Sequence, residues 1–200
     1  MTVVAAPQPA PGRLRAVWSA AHAPVAGVPR WARIAALAVP FTVLPSGIWR
    51  IAVIFAEDGH GRGDLPGWLP LPVYVVLLSI ASELLAFTAV GLIAGWGEVF
   101  PRWVPVLGGQ RVPTLAAVAP AALGAVILTA VWSAGFTAVF AGVTLSGEPT
   151  PANHPGEAGG WDAAVFYATY TPLLLWGPLL GVATIAYWRR RRATGPTQTR

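Results

Sequence analysis

An all-α fold, a bundle of four transmembrane helices with both termini cytoplasmic, is what this sequence predicts, and three observations predict it. Of 200 residues, 55% are hydrophobic and only 10% charged, a balance that suits lipid better than water. The apolar residues gather into four stretches, Trp31–Ala56, Leu71–Trp96, Thr114–Leu145 and Trp161–Trp188, each long enough for a bilayer crossing, which takes about 20 residues. The 13 basic residues are all Arg, and they alternate from side to side of those stretches. Arg13, Arg15, Arg30 and Arg33 precede or open the first stretch. Arg102 and Arg111 separate the second from the third, and Arg189, Arg190, Arg191, Arg192 and Arg200 follow the fourth. The other two connections hold Glu57, Asp58, Asp64, Glu148, Glu157 and Asp162 against a lone Arg62. Arg-rich short loops stay cytoplasmic, which orients the bundle.

Residues 1–30 read as a disordered cytoplasmic tail, because Pro7, Pro9, Pro11, Pro24 and Pro29 interrupt any regular element. No uninterrupted apolar run there ends at a small-residue cleavage site, so a signal peptide is not expected. The membrane domain runs over 31–188, and 189–200 form a basic cytoplasmic tail. Within the first span Pro40 and Pro45 each remove a helix donor, and Pro45-Ser46-Gly47 predicts a kink or short unwound turn. The second span carries Gly91 and Gly95 at GxxxG spacing. The third has Pro120 and a ridge of Ala130, Ala134, Ala138 and Gly142. The fourth has Pro172, Pro178 and a second GxxxG at Gly177 and Gly181. Small residues matter here because lipid supplies no hydrophobic drive between helices, and close approach does. Trp31, Trp96, Trp103 and Trp188 mark the inner interface, and Trp68 and Trp161 the outer one.

Several chemistries are excluded. With Cys 0 in the chain, disulfides, thiolate catalysis and Cys-ligated metals are all ruled out. Gly108-Gly109 does not fit a phosphate-binding loop, and neither a nucleophile elbow nor HExxH is present. The net charge of +5 is flank charge at membrane boundaries, so anionic headgroups are the expected partner and nucleic acid is not. His60 and His154 lie near acidic residues in the outer loops. Nothing in their spacing resembles a metal site, so no metal and no cofactor is expected.

Glu83 is the leading candidate for chemistry, since ionisable groups near mid-membrane are rare and face the bundle interior or a wet cavity. Arg50, beyond the Pro45-Ser46-Gly47 break, is its expected partner. Ser79 lies one turn from Glu83. Thr129, Ser133 and Thr137 form one stripe, and Tyr167 and Thr171 another beside Tyr170. Together these residues form a candidate outer-half polar pocket, or else an inter-helix hydrogen-bond network.

The cytoplasmic loop has a further reading. Gly97-Glu98-Val99-Phe100-Pro101-Arg102-Trp103-Val104-Pro105 with Gly108-Gly109-Gln110-Arg111-Val112-Pro113 resembles a segment of small, uncharacterised four-helix actinobacterial membrane proteins, and covers about the middle third of the chain. The resemblance implies a membrane bundle in a bacterial cytoplasmic membrane and brings no activity with it. The functional expectation is a non-enzymatic structural, accessory or regulatory membrane protein, associating with itself or a partner membrane protein through small-residue faces. The alternative is a small enzyme acting on a lipid or isoprenoid, with Glu83 as acid/base and Arg50 orienting it. A transporter subunit comes third.

Overall fold

The computed structural model describes residues 27–56, 66–99, 108–151, 154–157 and 159–193, with Gly12 and Val25. The N-terminal tail, the stretch with His60, Arg102 and Trp103, and the last seven residues lie outside the described residues. Helix α1 spans Arg30–Ala56, α2 Leu71–Gly91, α3 Thr114–Phe140, α4 Gly160–Tyr170 and α5 Trp176–Ala193. A 3-10 turn, Thr171–Leu175, joins α4 to α5. The result is four segments long and apolar enough to cross a membrane, the last being Gly160–Ala193. Among the described residues there is no strand, only two isolated antiparallel bridges.

α1 is helical without interruption through Pro40 and Pro45. The fourth span carries a 3-10 turn. Pro172 cannot donate to the preceding turn, and the chain tightens to 3-10 geometry there. This turn packs against α1 and α3, so freed carbonyls meet protein rather than lipid, as the bilayer requires.

Two spans are shorter than the apolar runs suggest. α3 ends at Phe140 because Gly142 takes φ +69°. The Val143 amide then donates to the Ala138 carbonyl at 3.0 Å and the Gly142 amide to the Val139 carbonyl at 3.0 Å. This is the Schellman closure, for which a left-handed glycine is the natural residue. Gly142 is thus a helix stop and no part of a packing ridge, and Ala130 and Ala134 are exposed. α2 ends at Gly91, after which Gly95–Gly97 form a 3-10 turn. The Trp96 indole folds back over Gly91, where a Cβ would sit 2.8 Å from the ring, and stacks on Phe87 at 6.2 Å between centroids. Gly91 therefore serves a reversal of the chain, with Trp96 and Gly97 packed against it, while a Cβ at Gly95 would meet nothing within 4 Å.

α1 packs on α2 and on α5, and α5 packs on α3. Between α2 and α3 lies a groove of about 280 Å³ lined by Leu85, Gly91, Trp96, Pro120 and Gly124. The interior is made chiefly of small residues, with Ala36, Ala183 and Tyr187 in one half and Val39, Val43, Ala86 and Leu173 in the other. α3 is the least enclosed span, with Ala125 its one buried residue. Its attachment rests on Gly177, where a Cβ would meet the Thr129 amide nitrogen at 2.6 Å and the Ala125 carbonyl at 2.7 Å. Gly181 faces Ala125 with ordinary clearance, 3.7 Å. One member of that GxxxG is a true backbone contact, and the other merely leaves room.

The end bearing the arginines is closed by side chains. Val99 and Arg111 form an antiparallel bridge, and the Val112 amide donates to the Glu98 carbonyl at 2.9 Å. From the end of α5, Arg190 reaches the Glu98 carboxylate at 2.6 Å and the Leu92 carbonyl at 3.3 Å, while Arg191 donates to the Val112 carbonyl at 2.6 Å. Arg192 lies over the Trp188 ring at 3.9 Å. The arginine run expected to anchor the chain at the headgroups also fastens the loop between α2 and α3 to the fourth span.

Candidate functional site

The structure divides the sequence-predicted site residues among separate places. Ser79 is buried on the α1–α2 seam, with its Cβ 3.8 Å from where a Gly47 Cβ would be. That contact sets the antiparallel register. It places Glu83 level with Val43, while Arg50 sits level with the turn before Ser79. At about 1.5 Å rise per residue, Arg50 and Glu83 are about 10 Å apart along the axis. No ion pair joins them, and Glu83 has no hydrogen-bond partner among the described residues. The buried hydroxyls of α1 near that level are committed to their own helix: Thr42 donates to the Val39 carbonyl at 2.7 Å and Ser46 to the Val43 carbonyl at 2.8 Å. The expected Glu83–Arg50 partnership does not form.

The α3 stripe does not join them either. Thr129 packs against Gly177 and donates to the Ala125 carbonyl at 2.7 Å. Ser133 and Thr137 are exposed on the outer face of the bundle, with Thr137 donating to the Ser133 carbonyl at 2.8 Å. Such back-bonding keeps a hydroxyl satisfied inside a helix. It makes the stripe part of the helix surface and not a pocket wall.

Tyr167, Tyr170 and Arg50 do converge, near the acidic end of the bundle. Tyr170 stacks on Phe166 at 4.7 Å and takes the edges of Trp49 at 5.5 Å and Trp132 at 6.3 Å. Tyr167 stacks on Phe140 at 5.8 Å. Arg50, next to Trp49, lies within electrostatic reach of Tyr170, and its buried Nε has no partner among the described residues. The rings surround a chamber of about 340 Å³ whose walls include Trp132, Phe136, Phe166, Tyr167 and Tyr170. A volume of that size falls in the range of small-molecule sites, about 300–1,000 Å³.

A hairpin roofs the chamber. The Thr150 amide donates to the Gly142 carbonyl at 2.9 Å and the Thr144 amide to the Glu148 carbonyl at 2.7 Å, with the turn closed at Gly147, φ +86°. This brings Thr150 and His154 to the chamber wall. The Thr150 hydroxyl is buried without a partner. His154 accepts the Gly156 amide at Nδ1, 3.1 Å, and meets the Phe166 ring edge-on at 5.1 Å. In the neutral ring that bond leaves the proton on Nε2.

Two members of this site escaped the sequence reading. From the sequence His154 reads only as an outer-loop residue, and the one available signal is the aromatic run of the facing helix, Trp161 to Tyr170. Thr150 carries no local signal at all, since only the hairpin positions it. His60 and its acidic neighbours lie outside the described residues, and no group of three metal-binding side chains occurs among those described. No protein-family model matches the chain, and no curated protein or solved structure matches it either. The residues themselves are therefore the whole basis for a functional reading.

Proposed function

We propose that this chain is a non-enzymatic, accessory or regulatory protein of a bacterial cytoplasmic membrane, with both termini on the cytoplasmic side, that holds a ligand in the aromatic chamber and does not transform it. One observation carries the reading. No ion pair joins Glu83 and Arg50, which lie about 10 Å apart along the axis, and among the described residues the chamber walls carry no carboxylate or guanidinium. Catalysis by a proton-transferring residue needs that residue within hydrogen-bond reach of the reacting atom, with a second group to stabilise developing charge. Binding needs less: an apolar wall and a few placed polar groups. The described polar wall residues are Tyr167, Tyr170, His154, Thr144 and Thr150, among uncharged ring faces. Their chemistry suits a neutral, flat amphiphile with acceptor oxygens. Any bend of the first span falls at Pro45-Ser46-Gly47, one turn below Trp49 and Arg50.

A double-mutant cycle tests the separation of Glu83 from Arg50. Glu83→Gln, Arg50→Gln and the double variant should have additive effects on detergent thermal stability, to within about 0.5 kcal/mol, as distant sites do. Glu83→Gln alone should leave stability unchanged or slightly improved, because a half-buried carboxylate without a partner is replaced by a neutral group. A chromosomal Glu83→Gln strain should keep its phenotype. Normal folding with lost phenotype would instead support the lipid-acting enzyme, with Glu83 as its acid/base.

A further inference from the structure

At the arginine end of the bundle the first turns of α1 stand beside the end of α2, and the gap between them is a cavity of about 460 Å³. Arg30, Arg33, Ile34 and Leu37 supply one wall at helical spacing, and Val90, Ile93 and Ala94 supply the other. The two guanidiniums thus sit at the rim, and the walls below them are purely apolar.

No described residue neutralises that rim. The guanidinium groups of Arg30 and Arg33 have no hydrogen bond or ion pair among the described residues. Of the eight acidic residues, Glu57, Asp58, Asp64, Glu148, Glu157 and Asp162 belong to the opposite end, and Glu83 is within a span. Glu98 is the remaining one, and Arg190 engages it at 2.6 Å. The acidic end lies the length of α1 away, about 40 Å for 27 residues at about 1.5 Å each. The acidic side chains of the chain therefore leave this pair of arginines open to an external anion.

We propose that this cavity is a binding site for one anionic phospholipid, with its phosphate held between Arg30 and Arg33 and the start of an acyl chain lying along Leu37 and Val90. Both halves of the ligand are written into the walls. Paired guanidiniums grip phosphate oxygens in a planar fork, and basic pockets between helix ends are where anionic headgroups settle. A soluble phosphate compound would use the rim and leave the apolar walls empty. A zwitterionic lipid would use the walls but bring its own cation against the arginines. The charged and apolar surfaces together select an anionic lipid. The site is independent of the aromatic chamber, which lies at the other end.

Thermal unfolding in detergent, with lipid added back, tests this. Phosphatidylglycerol should raise the melting temperature of the purified chain in a saturable way, and phosphatidylcholine or inorganic phosphate at the same concentration should not. Arg30→Gln/Arg33→Gln should weaken the phosphatidylglycerol response about thirtyfold. That is about 1 kcal/mol for each arginine near the surface, at about 1.4 kcal/mol per tenfold. Arg189→Gln, at the same end but outside the cavity, should respond as the wild type does. Should the glutamine pair fail to fold, Arg30→Lys/Arg33→Lys keeps the charge without the planar fork and should keep part of the response, above that to phosphatidylcholine. Three results would overturn the proposal: equal stabilisation by phosphatidylcholine, equal stabilisation by inorganic phosphate, or an undiminished response in the glutamine pair. Loss of the response in the lysine pair would do so as well.

Discussion

Gly177→Leu is expected to be the most damaging single substitution within the spans. α3 has one buried residue of its own, Ala125, and is held to the bundle where the Gly177 backbone meets Ala125 and Thr129. A Cβ at Gly177 would lie 2.6 Å from the Thr129 amide nitrogen and 2.7 Å from the Ala125 carbonyl. Both are backbone atoms, which cannot rotate away as a side chain would. Either the helices separate along the contact or the register shifts, and in both cases the packing that replaces hydrophobic drive in lipid is lost. Overpacking costs about 1–3 kcal/mol and sometimes more. At the upper figure the melting temperature should fall by about 6–12 °C, at about 2–4 °C per kcal/mol for a chain of this size. Gly181→Ala, with 3.7 Å of clearance, and Gly95→Ala, with nothing within 4 Å, should both be mild. Equal damage at Gly177 and Gly181 would mean that the two helices meet in some other register.

Arg190→Ala should have the second largest effect, for an unrelated reason. Arg190 and Glu98 are 10% and 23% exposed, and the same guanidinium also donates to the Leu92 carbonyl at the end of α2. Truncating it leaves a partly buried carboxylate and a helix-terminal carbonyl unpartnered together. Hydrogen bonds to charged groups contribute about 1.5–3 kcal/mol each, so a loss of about 2–3 kcal/mol is expected. Glu98→Gln keeps an acceptor for Arg190 and should cost about half as much. Thermal melts of the three proteins check this ordering, and limited proteolysis should show the Gly97–Arg111 loop cut faster in Arg190→Ala. Equal loss in both variants would mean that the Leu92 contact contributes nothing.

The parts legible in the sequence were those governed by local composition. A run of about 20 apolar residues must be a span in lipid, so all four were visible, and so was the alternation of arginine and acid between their ends. Rotation of each helix about its axis was not visible. Helices apolar on every side carry no periodic signal of which face turns inward. The stripe of Thr129, Ser133 and Thr137 was therefore correctly placed on one face, and that face turns mainly outward. The same blindness joined Glu83 to Arg50, since depth alone brought them near, and the Gly47–Ser79 contact sets them a helix turn and more apart. Gly142 matched a small-residue ridge by spacing but acts through its positive φ, which spacing does not reveal. The Arg190–Glu98 pair spans 92 residues, and no pattern in either neighbourhood announces it. Of the candidate site, the tyrosines and Arg50 were legible from their residue types in a membrane, while Thr150 and His154 depend on a hairpin that only the folded chain makes.

The proposed ligand chamber and lipid site require a membrane bundle whose arginine end is cytoplasmic and whose aromatic chamber lies toward the other side. Reporter fusions measure that directly. Fusions after Trp68 and Gly156 should report the outer side, and fusions after Gly109 and Ala193 the cytoplasm. A cytoplasmic signal from the Gly156 fusion would contradict the account, because it would put the chamber, its hairpin roof and the arginine cavity on the same side of the membrane.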